Sequence, residues 1–304
     1  MPFLYNIVEK LEKLKEKRNA IILAHNYQLP EIQDIADFIG DSLALAMKAK
    51  ETDANVIIFC GVDFMAETAK ILNPEKVVIH PEKQAMCPMA KMVDVESLLK
   101  KKEECGYEIV SYVNTSADVK AISDVCCTSS NAVKVVSKMK NGVIFTPDEN
   151  LGKYVKRFVK DKDIYLWPGF CPTHVNIEKE DILKIKKEHP FAEIIVHPEC
   201  KEDVIDIANK VASTEGMIKY ARESKSKEFI VGTEKELCYR MKKEMPEKNF
   251  YCLEKAICSN MKKITLEKVL RSMEKMEPEI KLSDDIIENA RKPLQRMIEI
   301  GRGD

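Results

Sequence analysis

The chain has 304 residues, enough for one large domain or for two to three small ones. Lys and Arg number 49 against 50 Asp and Glu, a net charge of -1. That balance excludes a strong global field toward nucleic acid or an anionic membrane and leaves a small-molecule function as the default. From Met1 to Asn19 apolar residues are mixed with Glu and Lys, unlike the core of a signal peptide, and no run approaches membrane-spanning length. A soluble, cytoplasmic protein is expected, with neither nucleic acid nor membrane as partner. In such a compartment ten cysteines point to buried hydrophobes, metal binding or catalysis rather than to a disulfide framework.

In chain order, Phe3, Leu4, Ile7, Val8, Leu11 and Leu14 recur at helical spacing and lead into the apolar run Ile21-Ile22-Leu23-Ala24, a helix feeding a buried strand. The same event recurs at Val93 to Lys102, reaching Ile109-Val110-Ser111-Tyr112, and at Ile177 to Lys187, reaching Ile194-Ile195-Val196. Beyond each first strand come Ile35-Ala36-Asp37, Ile122-Ser123-Asp124 and Ile207-Ala208-Asn209. Five residues after each Asp or Asn stands a hydroxyl, Ser42, Ser129 or Thr214, before a predicted helix. The strands Val56 to Phe59, Val143 to Phe145 and Phe229 to Val231 follow, then the acids Asp63, Asp148 and Glu234. Cys87, Cys171 and Cys258 come 24, 23 and 24 residues after those acids.

Such repetition, with β-branched runs alternating with helices, predicts an α/β chain of three pseudo-threefold-related α/β/α sandwich domains, each with a small parallel sheet. The expected limits are residues 1–88, 89–172 and 173–260, with a helical tail over 261–304. Its last helix, Ser283 to Ile300, should pack back on the first unit with a kink at Pro293.

Parallel sheets bind ligands outside the carboxyl ends of their strands, and the repeated landmarks all fall there. One loop cysteine alone is more often a buried hydrophobe, but three equivalent ones point to a shared metal centre. Three thiolates suit zinc or an iron-sulfur cluster, and either keeps an open position. Ser42, Ser129 and Thr214 have the position of ordinary helix N-caps. Three helix N-termini aimed at one pocket would also favour carboxylates or phosphate, hence a small polyanion. His25, Tyr27, Tyr112, Asn114, His197 and Glu199 occupy the same edge and bring groups suited to proton transfer. His80 and His189 lack such a setting.

Leu23-Ala24-His25-Asn26-Tyr27-Gln28, Gly40-Asp41-Ser42, Gly61 to Glu67, Tyr112 to Ser116, His197-Pro198-Glu199-Cys200 and Asn260-Met261-Lys262-Lys263 resemble the quinolinate synthase family, from about Ala20 to Lys263. The resemblance implies three α/β/α domains around one [4Fe-4S] cluster held by Cys87, Cys171 and Cys258. It implies condensation of iminoaspartate with dihydroxyacetone phosphate in de novo NAD biosynthesis, and raises functional coupling to the enzyme that makes iminoaspartate. Substrate contacts carry over to His25, Ser42, Tyr112, Asn114, Ser129, His174, His197, Glu199 and Thr214. Glu199 is expected as general base, with Tyr27, His25 and His197 as proton carriers. Two departures stand out: Phe170 where the family often has His, and Glu215 where it has Gly, the latter expected to face away from the anion site. The rival readings are a zinc hydrolase and an iron-sulfur sensor using the same cysteines.

Overall fold

The computed structural model describes residues 2–304, with side chains from Asn6 onward. Three four-stranded parallel sheets follow one another. The first contains β1 (Ala20–His25), β2 (Phe38–Gly40), β3 (Val56–Cys60) and β4 (Val77–Ile79), in the order β2-β1-β3-β4. The second contains β5 (Glu108–Tyr112), β6 (Val125–Cys127), β7 (Val143–Thr146) and β8 (Ile164–Leu166), ordered β6-β5-β7-β8. The third contains β9 (Glu193–Val196), β10 (Lys210–Val211), β11 (Glu228–Gly232) and β12 (Asn249–Cys252), ordered β10-β9-β11-β12. The chain is therefore an α/β protein of three α/β/α sandwiches.

Alternation along the strands produces the three layers, because successive side chains point to opposite faces. Ile22, Ala24, Val56 and Ile58 pack with Ile7, Leu11, Val269 and Met273 on one face of the first sheet. Leu23, Ile57 and Phe59 pack with Leu43, Leu45 and Ala69 on the other. The third unit divides likewise, with Ile194, Val196 and Ile230 on one side and Ile195, Phe229 and Val231 on the other. The repeated Asp37, Asp124 and Asn209 close each unit's first crossover. Their side chains accept the backbone N–H of Ile22, Ile109 and Ile194 at 2.8, 2.7 and 2.7 Å. Their own N–H groups donate to the carbonyls of the same three isoleucines.

The helix Leu266–Lys275 packs on the first helix, Pro2–Arg18, and on β3. Ile280 and the bridge between Ile79 and Glu279 cover the open edge of β4. The closing helix Asp284–Ile300 contains Pro293 and lies across two units. It meets the first unit at Asp63–Leu72, but more of its contact is with Ala117–Ala121 and β6 of the second. Its apolar stripe, Ala290, Leu294 and Met297, fills a core shared by both units. Cys238 and Cys252 form a disulfide between the helix Leu237–Glu244 and β12, against the expectation of no disulfide framework. Among the described residues no helix is long and apolar enough to cross a membrane.

Candidate active site

The carboxyl ends of the three sheets open into one cavity of about 260 Å³. β1 delivers His25, with Tyr27 just beyond, and β2 is followed by Asp41 and Ser42. β5 ends at Tyr112, shortly before Asn114, and Ser129 follows β6. In the third unit His197 and Glu199 follow β9, and Thr214 follows β10. Cys87, Cys171, His174 and Cys258 reach the same cavity from loops. Every residue expected as a metal ligand, substrate contact or proton carrier thus lines one space. Phe170 does not; its side chain faces outward. His80 is held by the Gly61 carbonyl and His189 stacks on Tyr251, both away from the cavity.

The repeated acids set the cysteine loops. Asp63 accepts the Cys87 N–H at 2.9 Å, Asp148 that of Cys171 at 3.0 Å and Glu234 that of Cys258 at 3.3 Å. This bond explains the constant interval between acid and cysteine. All three thiols are free and only partly buried. Burial pushes the Cys87 thiol up to about 12, with Cys258 adding to it; burial and Glu199 push Cys171 up, with Cys87 and Cys258 adding further. Ionised thiols here raise the cost of ionising Cys87 and Cys171, so a trio of this kind is suited to a cationic centre that compensates them. Cys171, His174 and Glu199 form a second set of metal-capable donors, within 4.8 Å of one another. His174 stands three residues after Cys171, where the other loops have Ala90 and Met261, so only the thiols repeat.

Glu199 is buried and anchors a polar chain. Its Oε2 lies 2.7 Å from His174 Nδ1 and 3.5 Å from His197 Nδ1. His174 Nε2 is 2.8 Å from the Thr233 hydroxyl, which lies 2.6 Å from the Tyr27 hydroxyl. With a neutral imidazole one assignment satisfies these contacts. Tyr27 donates to Thr233, Thr233 donates to His174 Nε2, and His174 Nδ1–H donates to Glu199. Cys171 Sγ lies 3.1 Å from the same Nδ1. Burial opposes ionisation of Glu199, but the imidazoles of His174 and His197 and the Tyr112 hydroxyl outweigh it and hold its carboxyl below the usual range. Burial pushes His25 down to about 4 and His197 to about 3, against the pull of nearby carboxylates. Burial and Glu199 push the Tyr27 phenol well up. On the cavity-lining residues two buried acceptors have no protein partner, Glu199 Oε1 and Asn114 Oδ1. Orphans of this kind on cavity-lining residues call for a ligand.

The hydroxyls differ from expectation in one respect. The cap of the helix Ser42–Glu51 is Asp41, accepting from Ala44 N at 2.9 Å, and that of Thr214–Glu223 is Ser213, accepting from Gly216 N at 3.3 Å. Ser42 and Thr214 are the first helical residues, and Ser129 sits in a turn before Asn131. No hydroxyl of the three is used as a cap. Thr214 Oγ1 accepts from Asn26 Nδ2 at 2.6 Å and keeps its own proton to donate. Glu215 is absent from the cavity lining, as expected, and is engaged by Arg240 and Asn26.

Residues 9–299 match the family model described as quinolinate synthetase A protein. A quinolinate synthase of Thermodesulfovibrio yellowstonii is 53% identical over 96% of this chain and 98% of its own length. Quinolinate synthase 1 of Methanosarcina acetivorans is 50% identical over 97% of this chain and 98% of its own. A quinolinate synthase of Caldicellulosiruptor saccharolyticus is 52% identical, again over 97% of this chain and 98% of its own. With likeness running nearly the whole length of the chain, and the repeated cysteines, hydroxyls and strand-end residues gathered at one cavity, the protein belongs to the quinolinate synthase family.

Proposed function

We propose that the chain condenses iminoaspartate with dihydroxyacetone phosphate to give quinolinate, phosphate and two waters, without net redox change. The observation that carries this reading is the convergence of three equivalent thiols, three equivalent hydroxyls and an ionised Glu199 on one cavity in a member of this family. Cys87, Cys171 and Cys258 would hold a [4Fe-4S] cluster, and their free state, their mutual electrostatic cost and their threefold placement fit it. When bound, such a cluster supplies a Lewis-acidic iron without a protein ligand.

The remaining chemistry falls to side chains. Ser42, Ser129 and Thr214, two of them beside helix N-termini, bind substrate carboxylates or phosphate. Asn114 and Tyr112 orient the reacting carbons from the opposite sheet. Glu199, with Oε1 free, takes a carbon-bound proton. Tyr27, kept protonated by its raised pKa, gives a proton to a departing hydroxyl. Those two transfers leave a protonated carboxyl and a phenolate. Their return runs along the chain with its polarity reversed, His174 in the Nε2–H tautomer donating to Thr233 and Thr233 to the phenolate. Thr233 then passes its proton to Tyr27, Nε2 passes its own to Thr233, and Glu199 protonates Nδ1, which restores the resting pattern. His25 and His197, neutral at pH 7, serve as hydrogen-bond partners.

The test is turnover of anaerobically purified protein with both substrates, following quinolinate by mass and absorbance. Brown protein with about four irons and four sulfides per chain that forms quinolinate supports the reading. Brown protein that forms none overturns it, and colourless protein with one zinc that forms none favours the zinc hydrolase.

A further inference from the structure

The cavity proposed to receive a dianion has a carboxylate, Asp41, in its wall beside Ser42. An uncompensated charge there would repel the substrate. Arg302, in the segment Gly301–Asp304 after the closing helix, meets it with one nitrogen, Nη2, 2.7 and 2.8 Å from the two carboxylate oxygens. Asp41 also accepts from the Ser213 hydroxyl at 3.2 Å, so two helix caps of different units touch, and Arg302 Nη1 lies 3.4 Å from that hydroxyl.

The rest of the segment holds Arg302 in place. Gly303 N–H donates to the Ser130 carbonyl at 2.8 Å, Lys134 Nζ donates to the Arg302 carbonyl at 3.0 Å, and Asn131 Nδ2 donates to the Gly301 carbonyl at 3.1 Å. Asp304 Oδ2 accepts the Ser213 N–H at 2.9 Å. A Cβ on Gly216 would lie 2.4 Å from that same Oδ2, so the first turn of the helix Thr214–Glu223 is open where Asp304 enters. The segment therefore touches the chain next to all three hydroxyls: Asp41 beside Ser42, Ser130 beside Ser129, and Ser213 beside Thr214.

We infer that Arg302 is a positioning residue for the anionic substrate: it neutralises Asp41 so that the hydroxyl-bearing wall accepts carboxylates. The inference rests on the reading that these hydroxyls bind a dianion. It is tested by calorimetric affinity for quinolinate, measured anaerobically on cluster-loaded protein alongside melting temperatures. The proteins compared are the wild type, Arg302→Gln, Arg302→Lys and the double variant Asp41→Asn/Arg302→Gln. Arg302→Gln should weaken binding by about tenfold or more, and Arg302→Lys should recover part of it. The double variant removes both charges while Asn still caps the helix, so affinity should return to within about threefold of wild type even where the melting temperature does not. Wild-type affinity in Arg302→Gln, or a double variant as weak as the single, overturns the inference alone. A wild-type protein that does not bind quinolinate overturns the proposed function and this inference with it.

Discussion

Thr233 is completely buried and bridges Tyr27 and His174, so Thr233→Val removes a relay hydroxyl while nearly conserving volume. Two bonds of 2.6 and 2.8 Å are lost, each worth about 0.5 to 1.5 kcal/mol net, with about 1 to 3 kcal/mol at stake for a buried group left unpaired. The Tyr27 hydroxyl and His174 Nε2 lie 3.5 Å apart, and the Val methyl that takes the place of the hydroxyl between them needs more room than the oxygen and keeps them from closing, so the stability cost is about 1 to 3 kcal/mol. In a chain of this size that is a fall of a few degrees in melting temperature. The effect on turnover should be larger. Without the hydroxyl the proton collected by Glu199 has no short route back to Tyr27, and kcat should fall on the order of 10²-fold with KM little changed. Thr233→Ser should restore most of it. Steady-state kinetics on variants of equal iron content read the result, and a Val variant with wild-type kcat would refute the relay.

Capping and ligand binding now separate by residue. Ser42→Ala and Thr214→Ala leave the caps Asp41 and Ser213 in place, so the main loss should be quinolinate affinity, about 1.5 to 3 kcal/mol for a bond to a charged group; wild-type affinity in both removes the anion-binding role. Ser213→Ala, by contrast, should cost about 1 kcal/mol of stability through the lost cap, read from denaturant melts, and an unchanged midpoint would contradict the cap assignment. His25 and His197 are held near 4 and 3 by burial, so between pH about 6.5 and 4 the unfolded chain binds more protons than the folded one. Their contribution to stability is intact above that window and is lost as pH falls through it, by up to about 1.4 kcal/mol per pH unit for each group. His197→Gln should flatten the fall in denaturation midpoint between pH 6.5 and 5, and an unchanged slope would show that this imidazole titrates normally.

The three sheets were legible because Ile21 to Ala24, Ile109 to Tyr112 and Ile194 to Val196 are short β-branched runs with the same landmarks behind them. Those landmarks do structural work that fixes their spacing: Asp37, Asp124 and Asn209 bind back to the first strand, and Asp63, Asp148 and Glu234 hold the cysteine loops. The caps were misread by one residue, since Asp41 and Ser213 are as good at capping as the hydroxyls that follow them. Thr233 went unnoticed, yet it left a signal. It is polar where the other units place Val62 and Pro147 before the acid, and such a break in the repeat at a strand end marks a residue retained for something other than packing. Arg302 and the seat of the closing helix depend on contacts between distant segments, which periodicity does not reveal. The Cys238–Cys252 bond was hidden for the same reason, because a helix and a strand must first pack before their thiols meet.

The central claim is that three equivalent loops jointly hold one cluster, and metal analysis of single-cysteine variants tests it most directly. Iron, sulfide and paramagnetic resonance are measured on anaerobically purified Cys87→Ala, Cys171→Ala and Cys258→Ala, with Cys60→Ser, Cys105→Ser and Cys126→Ser as controls drawn from the other free cysteines. Loss of the cluster in each of the first three and its retention in all controls is the predicted result. A full [4Fe-4S] signal with undiminished turnover in any one of Cys87→Ala, Cys171→Ala or Cys258→Ala would contradict it.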